Sequence, residues 1–156
     1  MISETDRIIR QLNDFYSEDN WVTANFKTKV LSLSSDHALQ RVSGHTHSVA
    51  DQVAHMLAWR NFVLQKLTGN DDFDITDNSS DDWPEVKDWS TLVKKFDETH
   101  SKLIHAIKTF PSEKLGDTVP LRDDTFTYLL NGILEHDYYH AGQIGAVLAE
   151  TKRLGD

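Results

Sequence analysis

Apolar residues recur at intervals of three and four in four long windows of the chain, and almost nowhere with the period of two that strands require. The first window opens after Ser3 and holds Ile8, Ile9, Leu12, Phe15 and Tyr16. Trp21 follows, then a second piece with Phe26, Val30 and Leu31, so a kink is expected near Asn20. The second window begins in "SVAD", where Ser48 can accept from first-turn amides and Asp51 suits the positive end of the helix dipole. It carries Val49, Val53, Met56, Val63 and Leu67 and closes at Gly69. The third runs from about Trp89 to Phe110 on Leu92, Val93, Phe96, Leu103 and Ile107, and Pro111 enforces its stop. The fourth opens near Asp123 or Asp124 and continues to about Thr151 on Phe126, Leu129, Ile133, Ile144 and Val147. The pattern predicts an all-α fold, a four-helix bundle with a kinked N-terminal helix, forming one domain over residues 1–156.

Between the second and third helices lies "NDDFDITDNSSDDWPEVKD", dense in aspartate and turn formers. Its spacing lacks the central glycine and terminal glutamate of a calcium-binding loop, so a solvated acidic loop is expected.

Composition narrows the function. A formal net charge of −9 disfavours nucleic acid or an anionic membrane as a partner, because both would be repelled over much of the surface. The start "MISETDRIIRQ" lacks the apolar run of a signal peptide, and no window approaches the roughly 20 apolar residues of a membrane span, so a cytoplasmic protein is expected. There is no cysteine, which excludes disulfides, thiolate ligands and a cysteine nucleophile. Any thiol chemistry must borrow its thiol.

The chain has eight histidines, and two of them, His136 and His140 in "EHDYYHAGQ", stand one helical turn apart. The spacing alone carries little, but projection of the fourth helix puts His140 inside the apolar stripe and His136 at its edge. Two imidazoles facing a core must be hydrogen-bonded, protonated at a cost, or coordinated to a metal, and the residues alone leave these readings open. A third ligand would come from another helix. His55 is the best placed, midway along the second helix with Trp59 and Phe62 on its face, although it also fits a polar residue at the helix edge. His100, near Phe96 and Leu103, is a rival or additional ligand. His45 and His47 in "SGHTHS" are weaker candidates, and His37 and His105 read as surface residues. Asp137 projects toward the core, where a carboxylate can accept from a metal-bound imidazole, accept a proton in catalysis, or join two helices. Tyr138 and Tyr139 project outward.

With these residues in place, the chain resembles the DinB-like family of metal-dependent helical-bundle proteins, which also contains the YfiT-type proteins. "SVADQVAHMLAW" is similar to the family's second-helix motif, with its histidine at His55, and "GILEHDYYHAGQI" to its last-helix motif, with His136 and His140. The resemblance implies a divalent metal, usually zinc or nickel, held by these three histidines with positions left for water or substrate, and a homodimer. His100, Asp137 and the acidic loop lie outside the family pattern. Three neutral imidazoles leave the ion its full charge and an open position, which suits catalysis. Two chemistries follow: activation of a small thiol for attack on an electrophile, or of water for hydrolysis. Thiol-dependent transferases and isomerases among the family's members favour the first, with a low-molecular-weight thiol as co-substrate and a small-molecule substrate. Hydrolase is the second reading, and a non-catalytic bundle that binds a ligand or partner is the third.

Overall fold

The computed structural model describes residues 2–23 and 25–155. Among them are six α-helices and no strand: α1 (Glu4–Ser17), α2 (Phe26–Lys29), α3 (Ser35–Leu39), α4 (Val49–Leu67), α5 (Trp89–Thr109) and α6 (Phe126–Gly155). The four long ones close a bundle in the cyclic order α1, α5, α4, α6, with α2 against α1 and α3 against α4 and α5.

Side-chain pairs give the directions. Gln52 meets His140 and Arg60 meets Asp137, so α4 and α6 are antiparallel. Arg7 meets Asn131 and Phe15 meets Tyr138, so α1 and α6 are parallel. Along α4 and α5, Ala54 and Leu57 share a groove with Thr91 and Lys95, and Leu64 and Leu67 share one with His105 and Thr109. These two helices are therefore parallel, and the chain must cross the length of the bundle between them. That explains why the segment from 68 to 88 is long and holds no helix of its own.

Local chemistry sets the ends. Ser48 and Asp51 form a reciprocal capping box at the start of α4: the Ser48 hydroxyl accepts from the Asp51 amide at 3.1 Å, and the Asp51 carboxylate accepts from the Ser48 amide at 2.9 Å. Past its last turn, Gly69 takes φ 83°, which favours glycine. At α5, Asp88 caps the amides of Ser90 and Thr91, and Pro111 follows the C-terminal Phe110. α6 begins two to three residues later than the aspartates predict, at Phe126, because Asp124 is held by its carbonyl to the Val119 amide (2.8 Å) and Thr125 supplies the first turn's acceptors.

The N-terminal helix does not bend at Asn20. It stops at Ser17, and helix resumes at Phe26. The reason is the Asn20 side chain, which accepts from the amides of Val22 and Thr23 and donates to the Asp14 carbonyl, folding the backbone into a turn where a helix would otherwise run on. Trp21, which follows the stripe, is 100% exposed as a result.

The core divides in two. One cluster gathers Phe15, Phe26, Val53, Met56, Phe96 and Ile144; the other gathers Leu12, Phe62, Val63, Leu103, Ile107 and Leu130. Two substitutions separate capping from exposure. Ser48→Ala is expected to cost about 1 kcal/mol in urea unfolding through loss of the cap, whereas Trp21→Ser should stay within about 0.5 kcal/mol of the parent.

Candidate metal centre

His55 on α4 and His136 and His140 on α6 meet in one cluster, with one ring nitrogen from each lying within 4.8 Å of the others. The helix period aligns His136 and His140 one turn apart, and the antiparallel pairing brings α4 to them at the level of Gln52 and His55. His55 Nε2 stands 3.0 Å from His136 Nε2.

Two of the rings are held by acceptors behind them. His55 Nδ1 lies 2.9 Å from both the main-chain carbonyl and the Oδ1 of Asp82. His140 Nδ1 lies 2.6 Å from Gln52 Oε1. Each of these oxygens accepts, so each Nδ1 carries the proton and each Nε2 is left with its lone pair, which His55 turns to the ring of His136. His136 faces His55 through Nε2, and its Nδ1 is buried with no hydrogen-bond partner. In the protein alone, the His136 Nε2–H donates to His55 Nε2. A divalent ion fits this donor set, because its three borderline nitrogens are those zinc and nickel accept and two arrive with their tautomers already fixed.

Burial keeps the two rings of α6 neutral. It depresses the His136 ring to about 3, with further contributions from its neighbours His140 and His55. His140 is depressed to about 4, again by burial first and then by His55. Neither ring therefore carries a second proton at neutral pH, and His136 would become a ligand through Nε2 once its one proton shifts to the unpartnered Nδ1.

The acidic segment turns out to be part of the site. Asp82 is 5% exposed and receives the Trp59 indole N–H at 2.7 Å and the Asn78 amide at 2.8 Å. Asn78 adopts φ 59° to present that amide. Trp83 lies flat on the His55 ring at 4.0 Å between centroids, and His47 covers its other face at 3.7 Å. The expected solvated loop thus holds for its exposed aspartates and fails at Asp82 and Trp83. Together with Trp59, Asp77, Tyr139 and Gln143, these residues wall a cleft of about 530 Å³.

The remaining candidates lie elsewhere. His100 is buried in the core, hydrogen-bonded to Arg60 at 3.0 Å and Asn13 at 3.1 Å and stacked on Tyr16, and burial depresses it to about 3. Asp137 faces the core as expected, but its carboxylate is taken by Arg60 at 2.6 to 3.2 Å and not by any ring of the cluster. It is a helix-to-helix ion pair. His37 and His105 are exposed and His45 is half-buried, outside the cluster. Tyr138 packs on Phe15, and Tyr139 is exposed at the cleft, accepting from Gln143 at 2.9 Å.

Sequence reasoning missed Gln52, Asp82, Trp83 and Arg60. Gln52 carries a signal, being one turn before His55 on the same face. For the loop residues the only signals are a tryptophan in an otherwise polar stretch and a connection longer than simple helix pairing needs.

Two outcomes follow. His100, His136 and His140 are neutral when folded and protonate near 6.5 when unfolded, so the unfolded chain binds more protons below that pH. The metal-free protein should lose stability as pH falls from 6.5 toward 4, by up to about 1.4 kcal/mol per pH unit for each ring; unchanged urea midpoints across that window would contradict this. Asp82→Ala should weaken zinc binding about 10- to 100-fold in a competition titration with a chelating dye.

The chain matches the model of the DinB superfamily over residues 20–144, a span that holds all three histidines of the cluster. No curated protein and no solved structure matches it. With that match over most of its length, an all-helical fold and a three-histidine cluster able to hold a divalent metal, this chain belongs to the DinB superfamily.

Proposed function

We propose that this protein is a metal-dependent enzyme in which His55, His136 and His140 hold a divalent ion, zinc or nickel, and which transfers a low-molecular-weight thiol to an electrophilic small molecule. The observation that carries the reading is the convergence of three imidazole nitrogens within 4.8 Å on the wall of a cleft, two of them fixed from behind by Asp82 and Gln52. A divalent ion there supplies Lewis acidity, lowering the pKa of a thiol that reaches its open position.

The chain's own residues do the rest. Asp82 and Gln52 keep the rings from turning, and Trp83 and Trp59 exclude water from the His55 side. Tyr139, whose oxygen accepts from Gln143, keeps its own hydroxyl proton to donate to a substrate at the mouth. In the transfer, the sulfur–carbon bond forms as the bond to the leaving group breaks, and the thiol's proton departs with that group. The absence of cysteine accords with a thiol brought from outside. Asp137, held by Arg60, acts in this scheme by position and not on the substrate.

The test is elemental analysis of tag-free protein beside a His136→Ala/His140→Ala variant, followed by thiol and electrophile turnover by the loaded protein. We expect about one metal per chain in the parent, none in the variant, and turnover that requires both metal and thiol. Single His55→Ala should bind metal weakly, whereas His100→Ala removes no ligand and should still take up about one metal per chain, provided it folds. Turnover of an ester or amide without thiol would turn the assignment to hydrolysis. No metal after reconstitution with zinc or nickel would end the enzymatic reading and leave a binding bundle.

A further inference from the structure

We propose that Arg60 and Asp137, with His100 and Asn13, form a register clamp that fixes α6 against α4 and so holds His136 and His140 opposite His55. The proposal rests on the metal-site reading and adds to it the residues that set the site's geometry.

Each of the four long helices sends one polar side chain to a single layer, the buried Arg60 from α4, His100 from α5 and Asp137 from α6 and the half-buried Asn13 from α1. Arg60 and Asp137 have side chains that are 0% exposed, and the guanidinium makes a two-pronged contact through Nε (3.1 Å) and Nη2 (2.6 Å) to Asp137 Oδ2. Its Nη1 donates to His100 Nδ1 at 3.0 Å. Because an arginine only donates, that nitrogen accepts, and the opposite His100 Nε2–H donates to Asn13 Oδ1 at 3.1 Å. The layer is thus a connected chain with one internally neutralised ion pair. Phe96 and Phe15 lie against the guanidinium, 4.7 and 5.8 Å from their ring centres, and seal it from water.

This layer falls between the two apolar clusters, after Met56 and before Phe62 on α4, and between Ile133 and Ile144 on α6. Apolar contacts are poor judges of register. A slip of one turn, about 5.4 Å, would exchange one aliphatic side chain of α4 for another against α6. The same slip would strand Arg60 in the core without its carboxylate, which is strongly unfavourable. Fixing register is the best-attested consequence of a buried polar pair, whereas its contribution to stability over apolar side chains of equal size is small.

The metal cluster needs that register. His55 Nε2 and His136 Nε2 are 3.0 Å apart, so a shift much smaller than one turn separates them. Asp137 is the residue after His136, and Arg60 lies five positions after His55, so the clamp is anchored beside ligands on both helices.

The decisive variant is Arg60→Met/Asp137→Leu, which removes both charges together, with Co(II) alone as the probe. We expect a helical, cooperatively unfolding protein that binds Co(II) about 10- to 100-fold more weakly, with a changed visible spectrum. A merely structural role would move the unfolding midpoint and leave affinity and spectrum alone. Arg60→Lys keeps the charge and loses the planar fork, so it should show an intermediate loss, and it carries the test if the double variant does not fold. A folded variant with the parent's affinity and spectrum overturns the clamp. If the parent binds no Co(II), the metal reading fails by itself, and the clamp is judged by NMR cross-peaks between the His55 and His136 rings: their loss in the variant supports it, and their persistence overturns it.

Discussion

Three imidazoles that face one another in a buried cleft cannot all carry charge, and their hydrogen bonds must be arranged so that the protons of His55 and His140 point outward and only one proton, on His136, lies between the rings. This constraint governs the chain well beyond the three histidines. Asp82 and Gln52 stand behind two of the rings as acceptors, and burial holds His136 and His140 far below the usual imidazole value. This neutrality is costly to the protein alone, because His136 and His140 bind protons more readily once unfolded. The neutrality that destabilises the protein in acid is what prepares the cluster to accept a cation at neutral pH.

The topology follows from supplying those acceptors. Parallel packing of α4 and α5 obliges the chain to travel the length of the bundle, and that crossing passes over the cluster. The crossing has no regular backbone pairing, so side chains organise it. Asp82 gathers the Trp59 indole and the Asn78 amide around the carboxylate that holds His55, and Trp83 is layered between His47 and His55. Arg122 ties the opposite end of the segment down, donating to the Ile75 carbonyl at 3.1 Å with its guanidinium over Phe62. The segment serves as a connection and as one wall of the site.

Where helical periodicity governed, the sequence was readable. The cap at Ser48 and the stops at Gly69 and Pro111 are local signals, and the helices begin and end there. His55, His136 and His140 were found because projection and the motif resemblance led to the same faces, and these faces meet. Asn20 shows the limit, since one side chain folding onto its own backbone ended a helix that apolar spacing would have continued. Asp82 and Trp83 were illegible for a different reason: their roles depend on which helices the crossing joins, and no period along the chain encodes that. Asp137 was read correctly as core-facing, but its partner Arg60 was invisible because a buried arginine looks on paper like a solvated one.

The central claim is that His55, His136 and His140 form one cation site in which Asp82 and Gln52 orient two of the rings. Anomalous diffraction at the zinc edge, from crystals grown with equimolar zinc, tests it most directly. The account predicts one strong peak bounded by the three Nε2 atoms, with Asp82 still on His55 Nδ1 and Gln52 on His140 Nδ1. A peak among the exposed aspartates of the crossing segment, or none within reach of the three rings, would contradict it.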